Sequence, residues 1–338
     1  MLSHNAPTSN GTLKCLLRSA VGALLIIVIL HNCTKSNYRH LGLKNTITVS
    51  LPPVISNNLA DVMEPLGLTD TAIFWHIPKS GGSTADEFSY CIGLTVASQA
   101  GKMFGDKNDQ KLAVFQPWRD HKAVNVDTTS ISGLKNAKSR GLAQSLLADV
   151  VFSPFVHQVA DIFTPRYKGR MAALFRHPVE RAASLFYYLQ YASWEIHYEP
   201  EMKNWSMQKF ATSRKCPPNW TMWMLLGQGK HSTGDNEKDL ELSKSILRQK
   251  VLIGLTSQME ESFERFDKYF DFDDGSGVAK MCSSALLSKG NGKNIHIHPK
   301  IVPGGEDWEI LASINEWDIK LYEHAVHLFE EQADMFYN

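Results

Sequence analysis

Three short stretches of the chain are apolar throughout: Ala72-Ile73-Phe74-Trp75, Met171-Ala172-Ala173-Leu174-Phe175 and Val251-Leu252-Ile253-Gly254-Leu255. A strand inside a parallel sheet is covered on both faces, so it reads as an unbroken apolar run and not as an alternation. A helical pattern follows each run. Strand then helix, repeated, predicts an α/β domain with a mainly parallel central sheet flanked by helices in three layers. Near the end, Trp308, Leu311, Ile314, Trp317, Leu321, Val326, Leu328 and Phe329 recur at helical spacing and predict a pair of amphipathic helices between residues 306 and 336. No period of 20 to 50 residues is visible, which excludes a repeat array.

One apolar run differs in kind. Residues 15–33 carry a single charge, Arg18, and Ser19-Ala20-Val21-Gly22-Ala23-Leu24-Leu25-Ile26-Ile27-Val28-Ile29-Leu30 carries none. That approaches the roughly 20 residues a membrane-spanning helix requires. The run ends in Ile29-Leu30-His31-Asn32-Cys33-Thr34 and lacks small residues of a cleavage site, which favours a signal anchor at 16–33 over a cleaved signal or a buried helix. Lys14 and Arg18 before it balance Lys35 and Arg39 after it, so charge leaves the orientation open. The bulk of the chain decides instead, because long domains translocate largely regardless of charge. Residues 1–15 then form a short cytosolic tail. Residues 34–69, rich in Ser, Asn, Thr and Pro without a sustained period, read as a stem, and 70–338 as a folded domain in the secretory lumen. The triplets at Asn32, Asn204 and Asn219 suit glycosylation there. Cys33, Cys91, Cys216 and Cys282 follow the anchor, an even number that permits disulfides in an oxidising compartment. The preferred pairing is Cys216 with Cys282, leaving Cys91 a buried thiol.

The 338 residues hold 35 Lys and Arg against 35 Asp and Glu. This balance argues against a protein that coats nucleic acid. No C-x-x-C or His cluster has zinc spacing, so no metal site is expected.

Candidate chemistry gathers at two strand ends. After the first run comes Phe74-Trp75-His76-Ile77-Pro78-Lys79-Ser80-Gly81-Gly82-Ser83-Thr84, leading into a helical segment. Glycines let backbone N–H groups close on an anion, a helix N-terminus adds about half a positive charge, and Lys79 adds a full one. The loop is P-loop-like but not a Walker A motif, since Lys79 precedes both glycines. After the second run comes Phe175-Arg176-His177-Pro178-Val179-Glu180-Arg181-Ala182-Ala183-Ser184. Pro178 suits a first helical turn, and Arg176 stands at the carboxyl end of a strand, where open α/β sheets bind ligands. An NTPase would more often place an Asp there to hold Mg²⁺. Two separate anion sites point to one ligand with phosphate-type groups at two ends.

Together these segments resemble the sulfotransferases that use 3′-phosphoadenosine 5′-phosphosulfate (PAPS), particularly the membrane-anchored carbohydrate branch that sulfates heparan and uronyl hydroxyls. The resemblance extends to Val251-Leu252-Ile253-Gly254-Leu255-Thr256 and to Asn315-Glu316-Trp317-Asp318-Ile319-Lys320-Leu321-Tyr322-Glu323, and covers about residues 70–338. It implies that Lys79, Ser80, Gly81, Gly82, Ser83 and Thr84 hold the phosphosulfate, that Arg176 and Ser184 hold the 3′-phosphate, and that Lys79 stabilises the leaving charge. It also implies a Golgi location, a glycan or polysaccharide acceptor and no metal. A base must take the acceptor proton; His157 resembles the base of the uronyl branch in placement, with His121 and Glu87 as alternatives. His76 is expected to pack. Two basic groups are further candidates: residues 289–293 ahead of His296 and His298 for closing over a nucleotide, and Lys203, Lys209, Arg214 and Lys215 with Trp205 and Phe210 for an anionic sugar chain. A nucleotide-dependent kinase and a glycan-binding protein without turnover are the competing functional classes.

Overall fold

A computed structural model describes residues 49–104, 111–118, 120–272, 275–287 and 299–337. The tail, the anchor, residues 34–48, the sequon at Asn32, and the basic loop 289–293 with His296 and His298 lie outside the described residues. Within them, no helix is long and apolar enough to cross a membrane.

The strands β1 (Thr71–Trp75), β2 (Thr95–Ala97), β3 (Val114–Phe115), β4 (Lys122–Val124), β5 (Val150–Ser153), β6 (Gly169–Phe175) and β7 (Val251–Leu255) form one sheet in the order β3-β4-β2-β5-β1-β6-β7. Every neighbouring pair is parallel except β3 with β4. The three apolar runs became β1, β6 and β7, which lie side by side and are buried at every position. Ile73 pairs with Val151 on one side and Met171 on the other.

Alternate residues of these strands feed two cores. Ile73, Trp75, Val151, Met171 and Ala173 pack on one side, and Phe74, Phe152, Ala172, Leu174 and Leu252 pack with Phe88, Phe263 and Phe266 on the other. The protein is a three-layer α/β fold, as the unbroken runs predict.

The helices that bear on the site are α1 (Pro53–Asn58), α2 (Gly82–Cys91), α3 (Val156–Ala160), α4 (Pro178–Tyr188), α5 (Asn236–Lys250), α6 (Met259–Phe270), α7 (Val278–Leu287), α8 (Glu306–Ile314) and α9 (Glu316–Glu331). The predicted C-terminal pair is α8 and α9.

Two expectations fail. The compact unit begins at Val49, not at residue 70. Ile55 and Leu59 are fully buried, the Ala60 N–H donates to the Gly169 carbonyl at 3.0 Å, and the Val62 N–H donates to that of Gln249 at 2.7 Å. The buried Arg170 guanidinium holds the Asp70 carboxylate at 2.6 Å and the Glu64 carbonyl at 2.8 Å. A few isolated apolar residues dock this segment although its Pro, Ser and Asn content reads as linker. The disulfide also differs: Cys91 pairs with Cys282, and Cys216 is the buried free thiol. Cys91 ends α2 and Cys282 lies in α7, and both helices pack against the same face of the sheet, an adjacency that spacing along the chain does not encode.

Peptide mapping without reductant is expected to recover Cys91 joined to Cys282, with Cys216 alkylated only after unfolding. Cys282→Ser should lower stability by about 2–5 kcal/mol, as loss of a bond closing a long loop does, read as a shift in the denaturant midpoint. Recovery of a Cys216–Cys282 peptide would overturn the assignment.

Candidate active site

From the end of β1 the chain turns through residues 76–81. Lys79 has φ of 66° and Gly81 of 80°, both left-handed. The Gly81 carbonyl accepts the N–H groups of Thr84 at 3.0 Å and Ala85 at 3.1 Å, which starts α2, and no side chain caps the helix. A Cβ on Gly81 would lie 2.7 Å from the Met259 methyl, and one on Gly82 would lie 2.1 Å from the His76 ring. Glycine is therefore required for close packing at both positions, and the backbone stays open to an anion at the helix N-terminus.

Beside it, β6 ends at Phe175 and Pro178 opens α4, again with no side-chain cap. Direct pairing of β1 with β6 makes the two loops neighbours. The Arg176 Nη1 donates to the Lys79 carbonyl at 3.3 Å, and its Nε reaches Glu180 at 3.3 Å. Ser184 lies on the same helix, mostly buried, and Arg181 is 4 % exposed with an unpartnered Nε.

Both loops open on one cavity of about 1130 Å³. Its lining includes Pro154 after β5 and Thr256 and Ser257 after β7, so it lies outside the carboxyl ends of the parallel strands. Leu286 and Leu287 of α7 and Tyr322 of α9 complete it on the helical side. The Cys91–Cys282 bond ties α7 to the helix that begins at the first loop.

Most of the predicted site residues converge here: Lys79, Gly81, Gly82, Ser83, Thr84, Arg176 and Ser184 all line the cavity. Ser80 does not. Its side chain is 1 % exposed with an unpartnered Oγ, because the turn directs it into the protein. His157 does not line the cavity either. It lies on α3, buried, with Nε2 2.7 Å from the Leu225 carbonyl and its ring stacked on His231 at 4.7 Å. His121 and Glu87 also lie outside the lining, 3.7 Å from each other. Of the basic cluster, Arg214 and Lys215 line the cavity, whereas Lys203 and Lys209 do not; Lys209 sits 4.4 Å over Trp205 and Phe210 is core. Of the sequons, Asn204 is exposed, whereas Asn219 Oδ1 accepts the N–H groups of Trp317 at 3.0 Å and Asp318 at 3.1 Å.

Among the lining residues, His76 is expected from the sequence only to pack, and no role is read from it for Tyr188, Trp194 and Glu195. His76 lies against Gly82, and burial lowers its pKa to about 4, opposed by Glu195 and reinforced by Lys79, so its imidazole is neutral at physiological pH. Tyr188 carries the Lys79 ammonium 3.6 Å from its ring centroid. Its hydroxyl donates to Glu195 at 2.7 Å and accepts from the Trp194 indole at 3.1 Å. Tyr188 was within reach of the sequence, since it follows Ser184 by one helical turn. His76 sat inside the motif itself. Glu195 and Trp194 come from a loop that has no periodic signal.

No protein-family model matches the chain, and no curated protein matches it.

Lys79 is the electrostatic centre of this arrangement. Burial and then the Arg176 charge push its pKa down to about 8, with Glu195 opposing them. Repulsion between two partly desolvated cations is relieved by an anion between them. An anion placed at these two groups would therefore raise the Lys79 pKa again.

NMR titration of the Lys79 ammonium should show a midpoint near 8, and inorganic sulfate, whose charge is constant over this range, should raise it. An unfolded lysine titrates near 10.4, so between these values the folded state binds fewer protons and stability should rise with pH. Lys79→Met should flatten that slope. A midpoint above 10 would contradict the account.

Proposed function

We propose that this chain is a sulfotransferase that moves the sulfuryl group of PAPS to a hydroxyl of a glycan or polysaccharide. The observation that carries this reading is that two cationic loops, on strands paired directly in the sheet, open on one cavity large enough for a nucleotide and an acceptor group. The residues present fit the donor: uncapped helix N-termini, glycines with no room for a Cβ, and cationic side chains at two positions. Gly81, Gly82, Ser83, Thr84 and Lys79 would hold the phosphosulfate end, and Arg176 and Ser184 the 3′-phosphate.

The donor supplies an activated sulfuryl group, so the acceptor oxygen forms an O–S bond as the bond from sulfur to the phosphate oxygen breaks, in line. The protein orients the two partners and stabilises charge, as in phosphoryl transfer. Lys79 neutralises the negative charge left on the phosphate. His76 replaces His157 as the group that takes the acceptor proton because it lines the cavity; its imidazole is free to accept a proton, although burial makes it a weak base. Glu195 favours its protonated form.

A luminal, membrane-anchored setting in the Golgi accompanies this reading. The Cys91–Cys282 disulfide and the exposed Asn204 sequon support it.

The test is incubation of the chain with sulfur-labelled PAPS and a panel of polysaccharides in EDTA. Label in a glycan is expected. Binding without transfer would favour a glycan-binding protein, and ATP consumption only with added Mg²⁺ a kinase. Lys79→Ala and Arg176→Ala should abolish transfer with folding intact. His76→Ala should lower kcat by about 10²- to 10⁴-fold, whereas His157→Asn should lower stability through loss of the Leu225 bond. Full activity in the Lys79 or Arg176 variant would refute the site.

A further inference from the structure

Residues 189–199 join α4 to a short 3₁₀ turn, Pro200–Asn204, and Trp194, Glu195 and His197 from this segment line the cavity. Trp194 is 67 % exposed. It is nonetheless tied down at its edge, since the indole N–H donates to Tyr188 Oη at 3.1 Å and that hydroxyl donates to Glu195 at 2.7 Å. Tyr191 packs edge-on to both rings, 5.6 Å from Tyr188 and 6.3 Å from Trp194. The result is a large aromatic ring with its polar edge satisfied and much of its apolar surface in water, beside a cavity. An indole held in this way is preorganised for a flat partner with apolar C–H groups, because little rotamer freedom remains to be lost on binding.

Its position identifies the partner. Tyr188 carries the Lys79 ammonium on its ring and the Trp194 indole on its hydroxyl, so the platform and the cation at the reacting end share one side chain. Glu195, which accepts from Tyr188, also acts electrostatically on His76 and Lys79. These contacts put Trp194 at the end of the cavity where transfer would occur. Tyr188 also follows Ser184 by one turn of α4, so nucleotide binding is measured separately from acceptor binding.

We infer that Trp194 is the stacking platform for the sugar ring of the acceptor, and that Tyr188 is a positioning residue that fixes this platform relative to Lys79. The inference rests on the sulfotransferase reading and names its specificity-determining residue. Trp194 holds the pyranose face, and Tyr188 holds the indole through one hydrogen bond. A ring seated there presents its hydroxyl towards Lys79 and His76.

Two constants separate this inference from the reading it rests on: KM for the polysaccharide that takes label, and Kd for adenosine 3′,5′-bisphosphate by calorimetry. Trp194→Ala should raise KM by about tenfold, the scale of a lost aromatic contact, with Kd unchanged, and Trp194→Phe should recover most of the loss. Tyr188→Phe keeps the ring under Lys79 but removes both hydrogen bonds, so KM should rise several-fold while the Lys79 titration midpoint stays near 8. An unchanged KM in Trp194→Ala, with the native protein active, overturns the inference alone. A weakened Kd with unchanged KM assigns Trp194 to the adenine and also overturns it. Absence of both label and nucleotide binding in the native chain removes the sulfotransferase reading, and the inference with it.

Discussion

Direct parallel pairing of β1 with β6, Ala72 beside Arg170 and Phe74 beside Ala172, is the constraint on which the candidate site depends. Strands in a sheet lie about 4.8 Å apart, so loops leaving the same ends of adjacent strands must share space. Here both loops carry a cation and both lead into a helix N-terminus. Neither loop alone makes a site for a ligand charged at two ends. The pairing brings the two loops onto one cavity, and the burial of every residue in β1 and β6 holds them in register.

That juxtaposition has an electrostatic cost. Burial lowers the preference of Lys79 for its charged form, and the neighbouring Arg176 charge lowers it further. The ammonium lies over the Tyr188 ring, and the Glu195 charge acts on it with the opposite sign. An anionic ligand would exchange repulsion for attraction at the same atoms, so affinity and charge selectivity arise from one arrangement. The surrounding scaffold is fixed by unrelated means: the buried Arg170 pairs with Asp70 beneath the sheet end, and the disulfide secures α7, whose Leu286 and Leu287 line the cavity.

The fold and the two strand-to-helix loops that line the cavity were legible because they rest on local patterns. Unbroken apolar runs mark strands covered on both faces, and glycines beside Lys79 and Pro178 beside Arg176 mark strand-to-helix turns. What was not legible depends on how distant segments meet. His157 stands after a strand that does point at the cavity, but α3 turns its ring towards Leu225. Ser80 lies in the middle of the motif yet faces inward, since Lys79 and Gly81 on either side both adopt left-handed φ. The partner of Cys282 and the docking of residues 49–69 are likewise set by tertiary adjacency, which composition and spacing do not record.

The central claim is that one doubly phosphorylated adenosine spans both loops. A co-crystal structure of the chain with adenosine 3′,5′-bisphosphate tests it most directly. The account predicts the 5′-phosphate against the backbone N–H groups at the start of α2 with Lys79 alongside, and the 3′-phosphate on Arg176 and Ser184. A nucleotide bound elsewhere, or one that touches only one loop, would contradict it.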